Sequence, residues 1–175
     1  PTQEVYRQEA VAGQRIAYQI CIATDDPFFA DVAVRSALAD QICIFSIKDA
    51  VMDTPITYDV PLEDYITHEP GLMPDILIPI AESNGRISID KMPRSLWVRV
   101  DLPKDMAAGA YCVAVDITVS QPGGGVVEKI SWEMVIDVLP YVMPEQKLIY
   151  TKWMYLDCIA SAHNVEIFSE QHWNL

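Results

Sequence analysis

The residues best equipped for chemistry stand in scattered groups. Acid pairs occur at Asp25-Asp26, Glu63-Asp64 and Glu133 with Asp137, the material of general acid–base work or of a calcium site. Calcium needs several oxygens converging from one loop, and no D-x-D-x-D-G run is present, so solvated turns and faces account for these pairs better. His163, Glu166, Glu170 and His172 bring imidazoles and carboxylates into one short stretch. Nothing in their spacing fixes a convergent ligand set, so no metal and no other cofactor is expected. Cys21, Cys43, Cys112 and Cys158 are far apart with no C-x-x-C pair, which removes zinc-ribbon and thioredoxin spacing. They read as small, mostly buried thiols. Trp97, Tyr111 and Trp132 would make a sugar-binding platform if they shared an open face, but alternating strands place them in a core. A nucleophile elbow, a P-loop, a dinucleotide fingerprint and H-E-x-x-H are all missing.

The elements that must carry these residues are mostly strands. Ile16, Tyr18, Ile20 and Ile22 alternate with Ala17, Gln19 and Cys21, the period of a half-buried strand. Further stretches follow around Val32 and Val34 and from Gln41 to Val51. Pro55, Pro61, Pro70, Pro74 and Pro79 then mark a surface excursion or a sheet edge, because proline has no N–H for a ladder. Asn84-Gly85, between Ile78-Pro79-Ile80 and Ile87-Ser88-Ile89, predicts a hairpin turn. The clearest pair is Tyr111–Val119 with Ile130–Val138, joined through Pro122-Gly123-Gly124-Gly125. Its apolar residues repeat every second position, with charge between them. This pattern predicts a mainly β chain, an antiparallel immunoglobulin-like β-sandwich, over residues 1–140.

Composition narrows the partners. Of 175 residues, 51% are hydrophobic, and 12 Lys+Arg face 25 Asp+Glu for a net charge of −13. That field repels polyanions, so neither nucleic acid nor an anionic membrane surface is an expected partner. No apolar run is long enough for a membrane helix. The compartment is left open by the cysteine usage.

Leu139-Pro140-Tyr141-Val142-Met143-Pro144 breaks the alternation and predicts a boundary, with residues 141–175 forming a linker and the opening of a second domain. Lys147 to Cys158 is apolar and aromatic without clean alternation, as a strand covered on both faces would be. Ser169 is placed to cap a helix beginning at Glu170. A lone β/α unit cannot bury its own faces. The chain therefore reads as the front of a longer protein, and self-association through the exposed tail 147–175 is expected of the isolated piece.

Several strings resemble one family. Gly71-Leu72-Met73-Pro74-Asp75-Ile76-Leu77, Leu96-Trp97-Val98-Arg99-Val100-Asp101-Leu102-Pro103 and Ala108-Gly109-Ala110-Tyr111 resemble elements of its sheet domain. The tail, Thr151-Lys152-Trp153-Met154-Tyr155-Leu156-Asp157-Cys158-Ile159-Ala160 followed by Phe168-Ser169-Glu170-Gln171-His172-Trp173, is the more specific match. Together these are similar to glycoside hydrolase family 123, with Met154 standing where the family tends to have Phe. The resemblance implies an N-terminal β-sandwich joined to a (β/α)8 barrel, of which the chain would hold a truncated first β/α unit. It also implies hydrolysis of N-acetylhexosaminides, with the sugar's 2-acetamido group as nucleophile, oriented by barrel carboxylates that lie beyond this chain. No catalytic residue is then expected here, and carbohydrate is the partner of the parent barrel. On that reading Asp157 falls near the end of the first barrel strand, where barrel enzymes place functional groups, and Trp153 and Tyr155 offer aromatic faces to a sugar. Packing suits both aromatics as well, and a loop cap suits Asp157. The other reading of the residues is a carbohydrate-binding or protein-interaction β-sandwich module.

Overall fold

Period-two alternation becomes nine strands among the described residues, which in this computed structural model are 5–53, 67, 69–90, 92–149 and 155–175. They are β1 (Tyr6–Ala12), β2 (Arg15–Ile22), β3 (Phe28–Ser36), β4 (Ile42–Met52), β5 (Gly71–Pro79), β6 (Arg86–Ile89), β7 (Arg94–Asp101), β8 (Gly109–Ser120) and β9 (Val126–Val142). One sheet has the order β1-β9-β8-β3-β6 and the other β2-β7-β4-β5. The chain is mainly β, and both sheets are rich in antiparallel pairs. The exception is β1, which pairs parallel with β9, Tyr6 opposite Met134 and Val11 opposite Leu139.

Inward side chains of both sheets meet in shared clusters. Leu96 and Val98 from β7 pack with Ile117 and Val115 from β8 and Ile89 from β6, all essentially without exposed surface. Val100, Val113 and Ile136 anchor a second cluster. Each such residue is worth about 1.5–3 kcal/mol of burial, so these layers hold the fold. The outer faces carry charge in cross-strand pairs. Arg7 is bidentate with Asp137 at 2.6 and 3.0 Å, Arg35 reaches Asp116 and Ser131, and Arg15 bonds Asp101 directly across the β2–β7 pair.

Four local expectations are corrected. Asn84-Gly85 does not close a hairpin, because β5 belongs to one sheet and β6 to the other. Instead a 3-10 turn at Ile80–Ser83 and Asn84 at φ 52° lift the chain between layers, and the Gly85 carbonyl accepts from Val32 N–H at 2.8 Å. The four cysteines are free and exposed: Cys21, Cys43 and Cys112 occupy strand positions of the parity opposite buried neighbours such as Ile20, Ile44 and Val113, and Cys158 is an exposed helical residue. Trp97 lies on the outer parity of β7, between the inward Leu96 and Val98, and is half-buried opposite Gln19 and Phe45. Proline does not stop β9 at Pro140. The register to β1 shifts between Val11 and Ala12, a bulge that absorbs the missing N–H, and β9 continues to Val142.

The prolines of β5 obey the edge rule: β5 pairs with β4 alone, and the register slips by one residue beside Pro74. Pro55 and Pro61, with the acid pair Glu63-Asp64, lie outside the described residues.

Contacts divide the chain into two units, Pro1–Met143 and Pro144–Leu175. Within the second, Lys147–Ile149 form no strand, and the residues expected to end one, Leu156 to Cys158, open the helix α1 (Leu156–Ala162). Leu156, Ile159 and Ala160 supply the helical spacing that a strand reading overlooks, and Ala160 is buried. Asn164 at φ 52° ends the helix, with Val165 N–H bonding back to the Ala160 carbonyl. Ser169 caps α2 (Glu170–Trp173), its hydroxyl accepting from His172 N–H at 3.1 Å. Among the described residues no helix is long and apolar enough to cross a membrane.

Candidate functional site

The sequence-predicted residues do not gather in one place. Asp157 lies exposed in the first turn of α1, and Tyr155, at its N-terminal flank, is 70% exposed. Trp153 is outside the described residues. Asp25 and Asp26 sit exposed in the turn after β2. Glu133 and Asp137 point outward from β9 and face Arg35 and Arg7. His163 and Glu166 are exposed, whereas His172 is buried with its Nδ1 accepting the Phe168 N–H at 2.9 Å. That bond and the stacking of His172 on Trp173, 5.8 Å between centroids, give the imidazole a local structural role.

A different group does converge. Between the edge strands β1 and β2, away from the Gly13–Gln14 corner that joins them, a cavity of about 450 Å³ opens between the two sheets. Tyr6 and Gln8 of β1, Tyr18 and Ile20 of β2, and Trp132 and Met134 of β9 line it from the inward parity, and Arg7, Gln19, Cys21 and Glu133 of the alternate parity complete the lining. The cause is legible in the strands. On β1 the parity that buries Ala10 and Ala12 is continued by Gln8 and the half-open Tyr6. Small buried alanines occupy that face toward the corner, and the larger Tyr6, Tyr18 and Trp132 stand around the cavity beyond it.

The charged residues of the lining, Arg7 and Glu133, face partners outside it. The Arg7 guanidinium is taken by Asp137, and the Arg35 guanidinium lies 3.8 Å from the Glu133 carboxylate. The Tyr18 hydroxyl is buried without a hydrogen-bond partner among the described residues, and burial pushes its pKa up to about 12. The phenol is held neutral at any physiological pH. Tyr6 and Trp132 stand at 6.2 Å with a 32° tilt.

Sequence reasoning assigned Trp132 to the core and missed Tyr6 and Gln8 altogether. Trp132 does pack against the first core cluster while also forming a cavity wall. Tyr18 was visible as an inward residue, but no local signal says that the facing sheet would leave its hydroxyl unpaired. Tyr111 behaves as expected: it packs on the second cluster and its hydroxyl bonds the Ala107 carbonyl at 2.9 Å.

No family model matches the sequence, and no curated protein matches it. Solved structures do match. A family 123 glycoside hydrolase from Clostridium perfringens, described for glycolipid glycan hydrolysis, aligns with a TM-score of 0.77 at 16% identity. The chain is similar in fold to part of that glycosidase. The alignment takes in 97% of this chain and only 30% of the enzyme. Two other matches are the macrocyclization catalyst AvmM of alchivemycin A biosynthesis, at a TM-score of 0.35 and 10% identity, and the CooA pilin subunit of enterotoxigenic Escherichia coli, at 0.32 and 10%. The first covers 78% of this chain and 87% of its own, the second 78% and 92%. The glycosidase likeness agrees with the family resemblance carried by the sheet and tail motifs.

Proposed function

We propose that this chain is the non-catalytic N-terminal β-sandwich domain of a family 123-like glycoside hydrolase, with residues 141–175 leading into its barrel. The observation that carries the reading is the asymmetry of the match: nearly the whole chain aligns with less than a third of a glycosidase. The sandwich, immunoglobulin-like in its two packed sheets, supports and borders an active site built by the rest of the parent protein. N-acetylhexosaminides are the substrate class. Asp157, Trp153 and Tyr155 are the residues of this chain that we assign to the substrate side of that barrel. Leu148, Ile149, Phe168 and Trp173 are exposed in the isolated piece, and we expect them to drive self-association through 147–175.

The test is an assay with nitrophenyl N-acetylhexosaminides on the 175-residue chain and on the parent protein. Turnover by the parent and none by the chain is the expected result. Turnover by the chain alone, or a parent inert toward every such substrate, overturns the reading.

A further inference from the structure

We infer that the cavity between β1 and β2 is a binding subsite for one neutral hexopyranose ring, held by the sheet domain itself. This goes beyond the supporting role proposed above, because it places a sugar contact in the two β layers and not in a barrel. Its volume of about 450 Å³ lies within the range of small-molecule sites. Three aromatic side chains from three strands, Tyr6, Tyr18 and Trp132, form walls with Ile20 and Met134. An aromatic wall suits the apolar C–H face of a pyranose, and the tilted Tyr6–Trp132 pair leaves Tyr6 55% exposed.

The polar contribution decides between a sugar and a plain hydrophobe. Gln8, on the inward parity of β1, lines the same cavity, and its amide both donates and accepts, as sugar hydroxyls do. An apolar ligand would strip water from that amide and return nothing. Paired charge then favours a neutral sugar over an acidic or basic one. The two charged residues of the lining, Arg7 and Glu133, each face a partner outside it: Arg7 is bidentate with Asp137, and Glu133 lies 3.8 Å from the Arg35 guanidinium.

Ligand-observed NMR and calorimetry on the 175-residue chain, with methyl hexopyranosides as probes and indole as the apolar competitor, test this directly. Saturable binding of at least one methyl hexopyranoside is expected. Tyr6→Ala and Trp132→Phe should each weaken it about tenfold, close to 1.4 kcal/mol, while Trp97→Phe on the outer parity leaves it unchanged. Tyr6 is exposed enough that its removal leaves the fold intact, which circular dichroism verifies. No saturation by any methyl hexopyranoside, saturation by indole in place of them, or wild-type affinity in Tyr6→Ala overturns the inference. Because the readout is binding by this chain, a failed glycosidase assay on the parent leaves it untouched.

Discussion

Tyr6 lies opposite Met134 in a parallel pairing, and its ring meets Trp132 two residues back along β9 at 6.2 Å. The first strand is thereby tied to the last through an aromatic contact across the sheet. The same contact forms one wall of the inter-sheet cavity, so a single diagonal pair serves packing and opens a site.

Tyr18 is the residue whose replacement should help. Its hydroxyl is buried with no partner among the described residues, so Tyr18→Phe removes an uncompensated desolvation and is expected to leave stability equal or raise it by up to about 1 kcal/mol. The pH dependence follows the same cause. Burial raises the phenol from 10.0 to about 12, so the unfolded chain loses its proton first. The stabilisation is fully present below about pH 10 and is lost as pH rises through about 12. Alkaline denaturant titrations should show that decline in the wild type and a shallower one in Tyr18→Phe.

Gly85 should tolerate no side chain. Its φ is +78°, and a Cβ would stand 2.9 Å from the Val32 carbonyl oxygen. Left-handed strain of about 1–2 kcal/mol adds to that clash, so Gly85→Ala should lose roughly 2–4 kcal/mol and lower Tm by about 5–10 °C. Gly123→Ala, with nothing within 4 Å of its Cβ, is the matched control and should be near neutral. Thermal melts of the two variants suffice, and equal Tm values would refute the argument.

Asp116 should contribute to the acid limb of stability. The Ser131 hydroxyl opposite it on β9, and then Arg35, hold its carboxyl below the ordinary value of 3.8. A lowered native pKa means the contribution is present above about pH 4 and fades as pH falls through the native value. Asp101 behaves alike, through Arg15 first and then Arg99. Both groups are largely solvated, so the effect is small and screened by salt. Asp116→Asn should flatten the fall in Tm between pH 5 and 3 at low salt, and an unchanged slope would count against the pairing.

Ser169 should govern the last helix locally. Ser169→Ala removes the acceptor for His172 N–H and should cost about 1 kcal/mol in that turn. Amide hydrogen exchange at His172 is then expected to quicken about fivefold, with core amides such as that of Ile117 unaffected.

The strands that alternate large apolar with polar residues were readable from the chain alone: β2, β4, β8 and β9 are where Ile20, Ile44, Val115 and Ile136 require them. So was the cap at Ser169, because an N-cap is a contact between residues three apart. The strand β1 was not, since Gln8, Ala10 and Ala12 carry too little hydrophobic contrast to mark a face. The run ending at Cys158 misled for the opposite reason: apolar residues without clear periodicity serve a strand and a helix equally, and Leu156–Ala162 became helix.

What the sequence determined by itself was the mainly β character and the parity of each strong strand, because side-chain direction along a strand is a local property. Tertiary structure alone decided which strands share a sheet. Asn84-Gly85 is a turn in either case, but whether it closes a hairpin or carries the chain between layers depends on Val32, more than fifty residues away, accepting it as a partner. The cavity is of the same kind. Tyr6, Tyr18 and Trp132 meet only because β1 chose the parallel edge of β9, a choice fixed by long-range pairing that no local spacing records.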